Sequence, residues 1–148
     1  MQKITLGLGC FWGPEENFKN KPGIIATEVG YAGGNSPNVT YEEVCTGRTG
    51  HAEVVRLTYD EKVISFKKIL DLFFKMHDPT QKDMQYPDVG TQYRSEIFYE
   101  TDQQKIEASE ILSQFNEKLG GKIQTNISKI KNYCKAEEYH QKYIEKNR

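Results

Sequence analysis

Between Ser65 and Pro79 the apolar residues Phe66, Ile69, Leu70, Phe73 and Met76 fall on a 3.6-residue period, the firmest helical pattern in the chain. Ser65 can cap that helix, and Asp78-Pro79 stops it because a proline pushes the preceding residue toward extended backbone. A helix with one apolar face must bury it against a second layer. Segments with strand-like alternation supply that layer: Ile4 to Leu8, Ile24 to Val29, Ala52 to Tyr59, Glu96 to Tyr99 and Lys122 to Ile127. Further helices are expected from Pro14 through Phe18, from Thr101 with its Gln104 capping box to Gly120-Gly121, and over residues 136 to 146. The resulting order, β-α-β-β-α-β-α-β-α, predicts an α+β two-layer sandwich with helices packed on a mixed sheet.

The 148 residues suffice for one domain with a real core, expected to span 1–148 without linker, repeat or low-complexity segment. Two long loops stand out: residues 30 to 40, rich in Gly, Asn, Ser and Pro, and residues 78 to 92, which carry Asp88 and Gly90. Loops of that length inside a compact domain tend to be functional. With 20 Lys and Arg against 21 Asp and Glu, composition leaves no electrostatic footprint for nucleic acid or a membrane surface, so neither is expected as a partner. Met1-Gln2-Lys3 leads straight into the first strand with no room for a signal peptide, and no apolar run approaches a membrane span. Three cysteines without CxxC spacing point to free thiols, and a cytoplasmic location is expected.

The chemistry concentrates in Gly9-Cys10-Phe11-Trp12-Gly13-Pro14-Glu15. Pro14, Glu15 and Glu16 suit the first turn of a helix, so Cys10 falls just before a helix N-terminus, a placement that favours the nucleophilic thiolate. Two adjacent aromatics cannot both point into one core from a turn, so at least one of Phe11 and Trp12 is expected to line a hollow beside the sulfur. On the strand from Ala52, Glu53 shares a face with His51, Val55 and Leu57. A carboxyl on an apolar face is desolvated, which raises its pKa and lets it act as an acid near neutrality. No HExxH or clustered Cys and His suggests a metal, and Gly7, Gly9 and Gly13 miss the dinucleotide fingerprint spacing, so no cofactor is expected.

The GCFWGPE heptapeptide resembles the signature of the A-type peptide methionine sulfoxide reductases, which reduce the S epimer of methionine sulfoxide. The resemblance continues in order through Gly30-Tyr31-Ala32-Gly33-Gly34, Tyr41 to Val55, His77-Asp78-Pro79-Thr80, Asp88 to Ser95 and Ala136 to Gln141. It implies a ferredoxin-like α/β sandwich with long added loops, acting on methionine sulfoxide free or in proteins. Cys10 is then the nucleophile, Glu53 the acid, and Tyr41 and Tyr93 the phenols that hydrogen-bond the sulfoxide oxygen. Phe11 and Trp12 form the methyl pocket, Asp88 helps hold the substrate main chain, and Tyr143 lies near the pocket.

Many relatives of this kind resolve the sulfenic acid with a cysteine in a Gly-rich C-terminal tail. Here the sequence stops at Arg148, shortly after Gln141, and that tail is expected to be absent. Cys134 takes a place commonly aromatic, whereas Cys45 stands where the family's cysteine is not usually the resolving one. Two routes remain open: internal resolution through Cys134, or reduction by an outside thiol such as thioredoxin, glutaredoxin or glutathione. The outside thiol is favoured because a disulfide needs Cα atoms within about 7 Å. The enzyme is expected to act as a monomer. The competing reading, a cysteine hydrolase with His51 as base, leaves Glu53 and the two phenols without a task.

Overall fold

The computed structural model describes residues 1–147. β1 (Gln2–Leu8) leads into α1 (Trp12–Phe18), β2 (Ile24–Ala32), the one-turn helix α2 (Tyr41–Cys45), β3 (Ala52–Tyr59) and α3 (Phe66–Met76). The chain continues with a small hairpin of β4 (Met84–Gln85) and β5 (Asp88–Val89), a 3₁₀ turn over Thr91–Tyr93, β6 (Ser95–Tyr99) and α4 (Asp102–Lys118). It ends with β7 (Asn126–Lys129), β8 (Cys134–Lys135), a 3₁₀ turn over Glu138–His140 and α5 (Tyr143–Lys146).

Six strands form one sheet in the order β7-β6-β1-β3-β2-β8, antiparallel except for the parallel β6–β7 pair. The expected mixed sheet and α+β architecture are therefore present. One face of the sheet carries Val29, Tyr31, Val55 and Leu57 and packs with Phe18 of α1, Ile69, Leu70 and Phe73 of α3, and Ala108 and Ile111 of α4. Its other face buries a smaller group, Ala32, Ala52, Val54 and Phe98, beneath Ile130 and Tyr133. Alternation along β3 thus sorts Val55 and Leu57 to the helical layer and Val54 to the opposite side.

The caps at Ser65 and Thr101 form as expected: Ser65 Oγ accepts from Lys68 N at 3.0 Å, and Thr101 makes a full capping box with Gln104. Five expectations needed revision. The strand expected over Lys122 to Ile127 begins only at Asn126, where the chain starts to pair with β6, and runs on to Lys129. β2 runs on to Ala32, because Tyr31 and Ala32 pair with Glu53 and Ala52, so the first long loop starts only at Gly33. That loop holds α2, capped reciprocally by Thr40 and Glu43. Residues 78 to 92 are not irregular throughout but contain the β4–β5 hairpin. Residues 136 to 146 are not one helix: Lys142 has φ 50°, which breaks the run into a 3₁₀ turn and the short α5.

Phe73 is fully buried and touches Phe74 and His77, with ring centroids 5.0 Å and 4.5 Å away. Truncating it opens a cavity at the centre of the α3 interface, so Phe73→Ala is expected to cost about 3–5 kcal/mol, read as a lowered urea midpoint.

Candidate active site

β1 delivers its chain end to a turn at Gly9, whose φ of 94° lies in the left-handed region. A Cβ there would also come within 3.0 Å of the Gln85 side chain of β4. Glycine is thus needed both for the backbone angle and for the close approach of the hairpin that carries Asp88. The half-buried Cys10 follows, then Phe11 as the first flanking residue of α1. Phe11 has no side-chain cap to offer, and its backbone N–H points instead at Glu53 Oε1, 3.4 Å away.

The placement of Cys10 before α1 does not produce the expected thiolate. Burial pushes its thiol up to about 11; the Trp12 amide opposes this, while the nearby charges of Glu53 and Asp88 add to it. Desolvation outweighs the helix start, whose local donor recovers only part of the cost.

Glu53 on β3 is 1 % exposed, and burial lifts its carboxyl to about 8, with the Phe11 amide pulling down and the charge of Asp88 pushing up. At pH 7 it is a neutral carboxylic acid. Its Oε2 has no hydrogen-bond partner among the described residues, so the proton it carries is not engaged by the protein.

The charge of this carboxyl acts on two phenols. Tyr41 opens α2, its N–H donating to Glu137 Oε2 at 2.9 Å, while Glu137 Oε1 accepts from the Tyr31 hydroxyl at 2.7 Å. Burial and the adjoining Cys45 thiol raise the Tyr41 phenol, and the charge of Glu53 adds to the rise. Tyr93 closes the 3₁₀ turn that Arg94 pins, through 3.0 Å to the Thr91 carbonyl and a 2.6 Å ion pair with Glu96. Its hydroxyl is pushed up to about 12, first by burial and then by the charges of Glu53, Cys45, Asp88 and Cys10. Both phenols therefore remain O–H donors at any physiological pH. Electrostatic influence links these groups: the charges of Glu53 and Asp88 act on Cys10, that of Glu53 acts on Tyr41, and those of Glu53, Asp88 and Cys10 act on Tyr93.

An aromatic wall follows Cys10 along the chain. Phe11 is buried, with ring centroids 5.8 Å from Tyr31 and 5.2 Å from His140. Trp12 is half-buried and stacks on Tyr143 at 3.8 Å with planes 10° apart, while its indole N–H donates to His140 Nδ1 at 3.1 Å. The two adjacent aromatics differ in burial: Phe11 belongs to the core, whereas Trp12 is half-buried and packs against it.

The C-terminal segment reaches this wall through a side chain acting as a strand. Gln141 accepts from Val29 N–H at 3.0 Å and donates to the Val29 carbonyl at 2.9 Å, and Lys142 N–H donates to the buried Glu15 at 2.6 Å. Tyr31, Glu137 and His140 were not singled out as site residues in the sequence. The usable signal for Tyr31 was its alternation with Val29, but its position opposite Glu53 follows only from the β2–β3 register.

Cys134 lies on the edge strand β8 as the cross-strand neighbour of Tyr31, and its thiol points at the Val39 and Lys135 carbonyls, 3.6 Å from each. Cys45 is exposed at the end of α2, and all three cysteines are free thiols. His51 is buried, with Nε2 2.9 Å from the Ser36 carbonyl. Among the described residues no helix is long and apolar enough to cross a membrane.

A cysteine hydrolase needs a histidine poised to take the thiol proton. Here the group held at the backbone N–H of Phe11, next to Cys10, is a buried carboxyl with a raised pKa, which suits a reaction in which an oxygen must leave as the sulfur is oxidised. Fold and site together define a thiol-dependent oxidoreductase. The chain belongs to the peptide methionine sulfoxide reductase family, whose model matches residues 2–148. It is 58% identical over 146 residues to the peptide methionine sulfoxide reductase MsrA of Pelagibacter ubique, covering 99% of both chains. Among solved structures it is similar to methionine sulfoxide reductase A of Corynebacterium diphtheriae, at TM-score 0.95 and 41% identity over 99% of this chain and 74% of that one. It is also similar to Mxr1 from Saccharomyces cerevisiae in complex with Trx2, at TM-score 0.67 and 31% identity over 96% of this chain and 84% of that one.

Proposed function

We propose that residues 1–148 form a single catalytic domain that reduces methionine-S-sulfoxide, free or in proteins, to methionine at the expense of thiols. The observation that carries this reading is the buried, neutral Glu53 with its unengaged Oε2 beside Cys10. Cys10 Sγ attacks the sulfoxide sulfur while Glu53 passes its proton to the oxygen, with Tyr41 and Tyr93 hydrogen-bonding that oxygen as charge develops. The oxygen moves to Cys10 and the thiol proton returns to Glu53. The balance is one sulfoxide and one thiol giving one thioether, methionine, and one sulfenic acid. Methionine sulfur is reduced by two electrons and Cys10 sulfur oxidised by two. Phe11 and Trp12 receive the S-methyl group, with Tyr143 backing Trp12, and Asp88 holds the substrate main chain.

One outside thiol condenses with the sulfenic acid to a mixed disulfide with loss of water, and a second attacks that disulfide, releasing the Cys10 thiol and an outside disulfide. The complex of the relative Mxr1 with Trx2 supports a thioredoxin in that role, with glutaredoxin or glutathione as other candidates. Direction of the Cys134 thiol toward the Val39 carbonyl argues against internal resolution through that residue. Three free cysteines suit a reducing compartment such as the cytoplasm, and the domain is read as a working monomer.

The test is stereochemical. With dithiothreitol as reductant, the protein is expected to form one methionine for every two thiols consumed from the S epimer and to leave the R epimer untouched. A pocket that seats the methyl on one side and the oxygen on the other admits a single hand, so equal rates on both epimers would refute it.

A further inference from the structure

His140 is buried to 1 % exposure on the 3₁₀ turn beside α5, and none of the steps above uses it. Its ring is enclosed by aromatics: Phe11 at 5.2 Å, Trp12 at 5.7 Å, Tyr41 at 4.6 Å and Tyr139 at 4.1 Å between centroids. Three of these belong to the wall and the phenol pair of the pocket. The imidazole makes one hydrogen bond, accepting the Trp12 indole N–H at Nδ1 over 3.1 Å. An indole nitrogen can only donate, so Nδ1 must be unprotonated and the ring proton must sit on Nε2. That nitrogen is buried with no partner among the described residues. An unsatisfied buried N–H is costly, and a packing role alone would be met more cheaply by a leucine or phenylalanine.

We propose that His140 is a positioning residue for the reductase reaction: its Nδ1 holds the Trp12 indole against Tyr143 and so fixes the wall that receives the substrate's S-methyl group. This rests on the placement of Trp12 in the methyl pocket proposed above. Trp12 is clamped from two sides, by the stacked Tyr143 ring at 3.8 Å and by the His140 acceptor, and only the second is directional. Stacking permits an indole to slide or flip in its plane; a single N–H···N bond at one ring edge selects one orientation. The turn that carries His140 is anchored by its neighbour, because the Gln141 side-chain amide bonds both polar groups of Val29. Burial also lowers the basicity of the imidazole, opposed by the charges of Glu137 and Glu42, which keeps the acceptor form in place at neutral pH.

Trp12 is the single tryptophan of the chain, so its emission reports on this one ring. His140→Leu is expected to shift that emission, lower its anisotropy and raise KM for methionine-S-sulfoxide roughly tenfold, the worth of one hydrogen bond, with a smaller change in kcat. His140→Asn, whose side-chain oxygen can accept near the Nδ1 position, is expected to restore both the emission and most of the KM. Leucine behaving like wild type in emission and KM would overturn the proposal. So would equal damage from leucine and asparagine, because that is the mark of lost packing rather than a lost acceptor. Nitrogen NMR of the unmutated protein gives an answer that needs no variant to fold: the proton is expected on His140 Nε2, and a proton on Nδ1 would overturn the assignment. The emission and tautomer readouts stand even if the wild type reduces neither epimer, an outcome that counts against the function alone.

Discussion

Cys10→Ser is expected to remove turnover, leaving less than about one part in 10³ of the wild-type rate. Serine is close in volume to cysteine, but its oxygen is a poor nucleophile toward the sulfur of a sulfoxide and cannot form a sulfenic acid. The fold should be indifferent to the change. Cys10 is half-buried in a turn, and its one notable local partner is the Trp12 amide, which a hydroxyl oxygen accepts as well as sulfur. Thermal unfolding followed by circular dichroism is expected to match wild type within about 1 kcal/mol, as for substitutions that neither open a cavity nor orphan a polar group. Activity retained at a few per cent or more would move the nucleophile elsewhere. Cys45 would be the first place to look, since its thiol adjoins the Tyr41 hydroxyl.

The raised thiol also shows where sequence reasoning stopped. Position before a helix start was legible in Pro14, Glu15 and Glu16, but the burial that overrides it arises only in the folded chain, which brings the β4–β5 hairpin against Gly9 and the charges of Glu53 and Asp88 to bear on Cys10. Local signals read well for the same reason that long-range ones did not. Ser65 and Thr101 announce their helices because a cap contacts residues three places on, and α3 announces itself through its own periodicity. α2 is one turn long and β8 two residues, too short for any period to register, and Lys142 breaks its segment through a backbone angle that no side chain advertises. Glu53 was legible from alternation along β3. Glu137 was not singled out: its role in holding Tyr41 depends on contacts about a hundred residues away along the chain.

Glu53→Gln separates two consequences of one buried carboxyl. The amide keeps the shape and can still donate a hydrogen bond, but it cannot pass a proton to the departing oxygen, so the reductase step is expected to slow by roughly 10²–10⁴. Stability should move the other way. In the unfolded chain this carboxyl ionises near its ordinary value of 4.5, whereas in the folded protein it holds its proton up to about 8. Between those values the folded state binds more protons than the unfolded one, so stability declines as pH rises, by up to about 1.4 kcal/mol for each pH unit. Above about 8 the full cost of an ionised, buried carboxylate is present. Glutamine does not ionise. Denaturant titrations of the two proteins are therefore expected to show Glu53→Gln the more stable at pH 9, with the gap closing as pH falls toward 5. Wild-type activity should in turn fall as pH rises through about 8, where the acid is lost, and that limb should be missing from the residual activity of the variant. A Glu53→Gln protein as active as wild type would assign the proton to Tyr41 or Tyr93, and the double Tyr41→Phe, Tyr93→Phe variant would then carry the larger deficit. A stability gap that does not change with pH would mean instead that Glu53 is ionised in the fold, and would remove the neutral acid on which the mechanism depends.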